Sequence, residues 1–156
     1  SVTQALLYAG VGLLESTNLS VGRGPDSPIE LIGAPWIDPV PLADTLNRLR
    51  LAGVRFEPMR FTPTENMYAR VACQGVRFVV TDREAVRPVT VALAIATTLR
   101  ERYRSQWKAE NVKNLLVNRA TMWAFLRGEP LPRLIAWSEA DRSAFLKRRA
   151  SYLIYR

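Results

Sequence analysis

Apolar residues along this chain of 156 residues follow two different spacings, and this pattern restricts the fold more than any other feature. Runs typical of strands occur at 29–32, 54–61 and 75–81, and the last, GVRFVVT, is the clearest. Apolar residues three and four apart, typical of helices, dominate the second half. They predict helices from Pro41 onward, over 88–104, 111–117 and 119–127, and over 131–149 with a break near Trp137-Ser138.

The first 28 residues allow more than one interpretation. Residues 3–15 fit either an apolar helix opened by Thr3 or a strand followed by a turn at Gly10–Gly12. Residues 16–28 (STNLSVGRGPDSP) are rich in turn-forming side chains. Because strand and helix segments interleave, we predict the α/β class, as a single compact domain with a small mixed sheet and helices concentrated in the C-terminal half.

The cysteine and histidine counts exclude several chemistries. The chain has no histidine and one cysteine, so these residues cannot form an intramolecular disulfide, a Cys-His zinc site, a His-ligated haem or a Ser-His-Asp triad. Cys73 lies in the apolar run Val71-Ala72-Cys73 and is predicted to be a small buried hydrophobe. We therefore expect no metal and no cofactor.

The net charge of +8 belongs to one half of the chain. Residues 1–99 carry nine basic and nine acidic side chains, whereas residues 100–156 carry thirteen and five. Such an excess favours an anionic partner, but the charges are spread along helices without aromatic stacking platforms, so nucleic acid is not expected. The longest uncharged stretches, 1–14 and 88–99, are shorter than the roughly 18 apolar residues that a membrane-spanning helix needs. The chain begins within an apolar pattern, which predicts a piece of a longer protein.

Residues 15–24 concentrate the polar chemistry of the first half. Glu15 supplies a carboxylate, and Arg23 lies between two glycines that let the backbone approach a ligand. Arginine suits the bidentate capture of a carboxylate. The same segment also fits a tight turn capped locally by Thr17, Asn18 and Ser20, and the sequence leaves both interpretations open.

Two further segments could contribute to a site. Asp82-Arg83 follows a predicted strand, and a turn in which Asp82 caps the next segment is favoured over a functional role. Thr62 and Thr64 flank a proline at the end of another strand, in a loop of the kind that often lines binding sites. Trp36, after Gly-Ala-Pro, is predicted to belong to the core.

The run ALLYAGVGLLESTNLSVGRGPDSPIELIGAPW resembles the start of the C-terminal domain in the exo-acting β-N-acetylmuramidase family. The resemblance continues through VRFEPMRFTPTENMYA, CQGVRFVVTDREAVRPVTVALAI and SEADRSAFLKRRASYLIY, and it covers almost the whole chain. The elements TNLSVGRG, IGAPW, RFTPT and TDR..RPV occur in the family's order. The chain departs from the family pattern at Ser16, where glycine is common, and at 111–118 (NVKNLLVN), which replaces a segment containing Phe-Asp.

The resemblance implies a function that the residues alone do not. Members of that family are bacterial enzymes of peptidoglycan turnover, which release N-acetylmuramic acid from the non-reducing end of glycan chains. They join an N-terminal Rossmann-like domain to this smaller domain, with the active-site cleft between the two. By this resemblance residues 1–156 form a C-terminal domain, in the periplasm or outside the cell, whose Rossmann-like partner domain is absent from the chain and supplies the catalytic glutamate.

We therefore expect a substrate-cleft domain that is inactive alone and contacts a peptidoglycan-derived glycan, with no catalytic residue assigned. The residues expected to bind substrate are Glu15, Thr17, Asn18, Ser20, Arg23, Thr62 and Thr64. Arg23 is the expected partner of the lactyl carboxylate that distinguishes muramic acid from glucosamine. The alternative is a non-catalytic module that binds cell-wall glycan or another polyanion through residues 100–156.

Overall fold

The computed structural model describes residues 1–24 and 28–154, so residues 25–27 of the predicted turn lie outside the described part. Five α-helices and three β-strands make up these residues, together with single 3-10 turns after the first helix, before the fourth and after the fifth. In chain order they are α1 (Val2–Val11), β1 (Leu31–Ala34), α2 (Pro39–Arg48), β2 (Val54–Phe61), β3 (Cys73–Val80), α3 (Pro88–Arg102), α4 (Arg119–Arg127) and α5 (Leu131–Arg149).

The sheet has the order β1-β3-β2, and β3 is antiparallel to both neighbours. The expected α/β class is confirmed, but the sheet is antiparallel in its described strands where a mixed one was expected. The difference arises because β1 and β2, which α2 connects, run in the same direction without pairing, since β3 inserts between them. Gly33 pairs with Gly75 at the β1–β3 contact, where a Cβ on Gly75 would lie 1.9 Å from the carbonyl oxygen of Ile32.

The core surrounds α3, which is apolar on most of its faces and is therefore covered on most sides. All residues from Val91 to Leu99 are buried. Leu7 and Val11 of α1 and Leu42 and Leu46 of α2 join the same cluster. Close packing of α1 on α3 requires Gly10, because a Cβ there would lie 2.0 Å from the carbonyl oxygen of Pro88.

Local sequence signals account for several of the helix ends. Ser1 caps α1, and its side chain accepts a hydrogen bond from the backbone N–H of Gln4, so the first segment is a helix rather than a strand. Helix α4 begins at a cap where Asn118 Oδ1 accepts from Thr121 N at 2.9 Å, and it ends at Gly128 with a φ of 89°.

Two strands and two helices fall where the sequence predicts them, and other segments differ. The predictions at 54–61, 75–81, 88–104 and 119–127 are confirmed to within two residues at each end. Strand β1 starts two residues later than expected, because Ile29 has a left-handed φ of 71°. Helix α2 begins at Pro39 rather than Pro41.

The predicted break in the last helix is wrong, and the helical segment predicted at 111–117 is a 3-10 helix with different ends. Helix α5 is continuous through Ser138, since the buried Leu134 and the partly buried Trp137 both pack on the core. The 3-10 helix spans Ala109–Asn114, so it starts two residues and ends three residues earlier than predicted. Within residues 1–24 and 28–154, every helix is too short or too polar to cross a membrane.

Candidate functional site

A cavity of about 470 Å³ opens between the loop that follows α1 and the loop that joins β2 to β3. The first loop, residues 15–24, follows the 3-10 turn Gly12–Leu14 and is called the motif loop below. The second loop forms the opposite wall. The lining residues are Glu15, Leu19, Ser20, Val21, Arg23, Asn66, Met67 and Tyr68.

An ion pair between Glu15 and Arg23 lies in the wall of this cavity. Arg23 Nε donates a hydrogen bond to Glu15 Oε1, and the two side chains are 37% and 28% exposed. This hydrogen bond raises the pKa of Arg23, and the Tyr8 hydroxyl makes a smaller contribution in the same direction. The guanidinium is therefore charged and oriented before any ligand arrives, while part of its charge is balanced by Glu15.

Glycines on both sides of Arg23 adopt the backbone conformations that the motif anticipates. Gly22 has a φ of 70° and Gly24 a φ of 144°, values that side chains rarely allow. Gly24 also touches the second loop, because a Cβ on Gly24 would lie 2.3 Å from Thr64 Oγ1. The motif loop therefore packs against the loop that forms the other cavity wall.

Thr17 and Asn18 use their polar groups inside the protein. The buried Thr17 donates from Oγ1 to the carbonyl oxygen of Leu14 at 2.7 Å. Asn18 Nδ2 donates to Gln106 O at 2.8 Å, and its Oδ1 accepts from Lys108 N at 2.7 Å. These side chains attach the motif loop to the segment after α3 rather than present free groups to the cavity.

Ser20 both lines the cavity and anchors the loop. Its backbone N–H and carbonyl pair with Gly33 at 2.8 and 2.9 Å, which places the loop beside the free edge of β1. Its buried Oγ accepts from Gly22 N at 3.3 Å.

Thr62 lies outside the cavity. It lines a neighbouring depression of about 440 Å³, together with residues of β2 and β3 and the nearby loop. Of the seven predicted residues, the structure therefore places Glu15, Ser20 and Arg23 in one cavity wall and Thr64 against the loop that carries Arg23.

The second wall, residues 66–68, was not predicted. Tyr68 accepts a hydrogen bond from Trp36 Nε1 at 3.2 Å and donates one to Asn18 O at 3.3 Å, so it connects the core to the motif loop. Asn66, Tyr68 and Arg70 all have positive φ values, near 60°. An asparagine favours such a conformation, but a tyrosine and an arginine do not, so the sequence carries little signal for this loop.

Asp82 is a turn residue, which is the role that the sequence analysis favours. Its Oδ1 accepts from Glu84 N at 2.9 Å and from Ala85 N at 3.2 Å. Arg83 donates to Thr3 Oγ1 at 3.2 Å, on the opposite end of α1 from the cavity.

Ser16 and the 111–118 segment, the two departures noted in the sequence, contact each other. Ser16 Oγ donates to Asn111 O at 2.7 Å. A glycine at position 16 could not make this hydrogen bond, so the serine secures the altered segment to the motif loop.

The described lining of the cavity offers groups suited to an anionic or hydroxyl-rich ligand, and among these described residues there is no pair of carboxylates. Glu15 is the one carboxylate among the described lining residues, and it is engaged by Arg23. Glycoside hydrolysis ordinarily uses two positioned carboxyl groups. In the described part of the chain, no three or more Cys, Asp or Glu side chains group as they would around a metal ion.

Two proteins of known structure have the same fold as this chain. Two solved DUF1343 family proteins from Bacteroides fragilis share the fold, with TM-scores of 0.84 and 0.66 at 22% and 16% identity. The alignments cover 97% and 100% of this chain and 42% of each of those proteins.

The sequence then identifies the family. Residues 6–155 match the family described as exo-beta-N-acetylmuramidase NamZ, C-terminal, and the chain belongs to this family. It is also 34% identical, over 158 residues, to the peptidoglycan beta-N-acetylmuramidase NamZ of Bacillus subtilis (strain 168). That match covers 99% of this chain and 38% of the relative, and it confirms the resemblance seen in the motifs.

Proposed function

We propose that this domain forms one wall of the glycan-binding cleft of a peptidoglycan exo-β-N-acetylmuramidase. The reaction is the hydrolysis that releases N-acetylmuramic acid from the non-reducing end of peptidoglycan fragments. The observation that carries the proposal is the cavity built by the family's motif loop, with Arg23 and Glu15 in its wall. A peptidoglycan substrate would place the protein in the periplasm or outside the cell.

Arg23 is the proposed partner of the lactyl carboxylate. Its guanidinium has five N–H donors, and the contact with Glu15 uses the one on Nε. Glu15 fixes the direction of the guanidinium and can also accept a hydrogen bond from a sugar hydroxyl or amide. Because Glu15 balances part of the charge, we expect the pair to favour a monoanionic sugar modestly over its neutral analogue.

The catalytic carboxylates are proposed to belong to another domain of the same protein. The single carboxylate among the described cavity residues supports this division, since two are ordinarily needed. This chain by itself should therefore bind the glycan without hydrolysing it.

An NMR titration tests the proposal. The chain is titrated with a disaccharide that carries non-reducing N-acetylmuramic acid, and separately with its N-acetylglucosamine counterpart. We expect shifts at residues 15–24 and 66–68 that are stronger for the muramic sugar. No shifts with either sugar would refute a role in glycan binding.

Two variants identify the groups involved. Arg23→Ala should weaken binding of the muramic sugar and leave binding of the analogue unchanged. Glu15→Gln should strengthen binding of the muramic sugar, because the charge of Arg23 is then no longer balanced by a carboxylate. Arg55→Ala is the matched control, because Arg55 and Glu57 form another exposed ion pair on β2, away from the cavity. Equal losses for both sugars in Arg23→Ala would contradict the assignment to the lactyl group.

Salt dependence separates this function from the polyanion-binding alternative. Binding of one monoanionic sugar should weaken little with salt, because few charges are involved. Binding that falls steeply with salt, with shifts confined to 100–154, would favour the alternative.

A further inference from the structure

The second half of α5 lies on the surface of the domain. The residues before Asp141 include the buried Leu134 and pack against α3 and α4. From Arg142 to Ala150 every residue is exposed. At 1.5 Å per residue, the part of α5 from Arg142 to Arg149 is about 12 Å long.

The end of α5 and the residues after it carry large apolar side chains that the described residues cover only in part. Tyr152 and Ile154 are 82% and 89% exposed, and Phe145 is 52% exposed. Phe145 and Leu146 are neighbours on α5, whereas Tyr152 ends the 3-10 turn Ala150–Tyr152 and Leu153 follows it in an extended conformation. The apolar side chains therefore continue past the end of the helix. We call these side chains the outer α5 face: Phe145, Leu146, Tyr152, Leu153 and Ile154.

The charge around this face is mainly positive, although Arg142 forms an ion pair with Glu139 at 2.9 Å. Residues 142–154 contain Arg142, Lys147, Arg148 and Arg149 and no acidic residue. The dipole of α5 favours cations in its last turn, which explains the basic residues without any partner. It does not explain the apolar ones, because contiguous exposed apolar surface usually marks an interaction site.

A groove continues the face onto the body of the domain. It has a volume of about 400 Å³ and lies between the start of α3 and the middle of α5. Pro88, Val89 and Phe145 supply its apolar lining. Its charged lining residues are Arg87 and the ion pair of Arg142 with Glu139. A partner on the outer α5 face could therefore insert a side chain beside Phe145.

The relatives are longer than this chain and so supply a possible partner surface within one protein. The family match extends to residue 155, so the end of α5 belongs to the family's domain. The chain spans only 38% of the Bacillus subtilis relative, so most of that protein lies outside the matched region. A second copy of this chain is a poor occupant, because it would bring another set of cations against the first.

We propose that the outer α5 face docks against the part of a NamZ-type protein that lies outside this domain. The matching surface is apolar at its centre and acidic at its rim. This inference rests on the proposed function in one respect, namely that the domain works within a larger protein. The docking would hold the cavity of the motif loop at a set position relative to the catalytic carboxylates.

Hydrogen–deuterium exchange tests the docking. Exchange at residues 142–154 is compared between the 156-residue chain alone and the full-length protein to which the proposed function assigns it. We expect exchange to slow by roughly tenfold or more in the full-length protein. Equal exchange in both would overturn the inference.

Variants show whether the apolar side chains cause the protection. Phe145→Glu combined with Leu146→Glu should restore fast exchange in the full-length protein and leave the melting temperature of the isolated chain unchanged. Val117→Glu is the control, because Val117 is 78% exposed elsewhere on the surface. Protection that survives the double substitution would overturn the role of the outer α5 face.

Other occupants give different results. A dimeric mass of the isolated chain, lost in the double variant, would assign the face to a second copy. Sedimentation of the isolated chain with phosphatidylglycerol vesicles, lost in the same variant, would assign it to a membrane. Either result, with no protection in the full-length protein, overturns the inference.

The release of N-acetylmuramic acid by the full-length protein is measured alongside. Release without protection would refute the docking and keep the proposed function. Protection without release would refute the proposed function and keep the docking.

Discussion

Asn18 offers the sharpest test of whether the motif loop is held by structure or by ligand. Its amide joins the loop to residues that follow it by 88 and 90 positions in the sequence, through hydrogen bonds of 2.8 Å to Gln106 O and 2.7 Å from Lys108 N. Asn18→Ala removes both. A net hydrogen bond is worth about 0.5–1.5 kcal/mol, and water can reach these partly exposed groups, so we expect a loss of about 1–2 kcal/mol.

The free energy of unfolding is measured by urea denaturation monitored by tryptophan fluorescence. For a domain of this size a loss of that amount lowers the melting temperature by roughly 3–7 °C. Asn114→Ala is the matched control, because the exposed Asn114 side chain makes no hydrogen bond among the described residues. We expect the control to change stability by less than about 0.5 kcal/mol.

Ligand binding by the same variant completes the test. If Asn18 acts only by holding the loop, folded Asn18→Ala should still bind the muramic sugar with reduced affinity and unchanged preference over its analogue. An unchanged stability with complete loss of binding would refute this reasoning, because it would make Asn18 a direct ligand contact.

Three further predictions concern the framework around the site. Gly75→Ala should lower the free energy of unfolding by more than about 3 kcal/mol, because its Cβ would collide with the Ile32 carbonyl oxygen. Gly128→Ala should lower it by about 1 kcal/mol, because Gly128 has a positive φ but open space around it. Asp82→Ala should cost about 1 kcal/mol through loss of its turn hydrogen bonds. Burial raises the pKa of the Cys73 thiol from 9.0 to about 11, so the unfolded thiol ionises first. Below pH 9 the thiol is neutral in both states and stability does not depend on its ionisation. As the pH rises from 9 to 11, the protein loses about 2–3 kcal/mol of unfolding free energy relative to Cys73→Ala.

Each of these has a result that would contradict it. A Gly75→Ala protein as stable as wild type would mean that β1 and β3 can separate at no cost. Unchanged stability of Asp82→Ala would remove the turn assignment and reopen Asp82 as a functional residue. A pH dependence shared by Cys73→Ala, or rapid labelling of Cys73 by a thiol reagent in the native protein at pH 8, would show that the thiol is not buried.

Local patterns were sufficient for much of the fold. The strand at 54–61 and the helix at 119–127 follow from side-chain periodicity and from caps that lie next to the segment in sequence. The helix α5 was predicted with its correct ends but with a break that packing of Leu134 and Trp137 prevents. The order of the strands could not be predicted, because no pattern among neighbouring residues indicates that β3 inserts between β1 and β2.

The candidate site, too, was predicted from the sequence only in part. The sequence by itself determined the absence of histidine chemistry, the family motif and the candidacy of Glu15 and Arg23. Only the tertiary structure decided that these two side chains pair in a cavity wall while Thr17 and Asn18 turn inward, and that residues 66–68 form the facing wall. The physical reason is that periodicity reports the environment of neighbouring residues, whereas a hydrogen-bond partner 88 residues away becomes available only when the chain has folded.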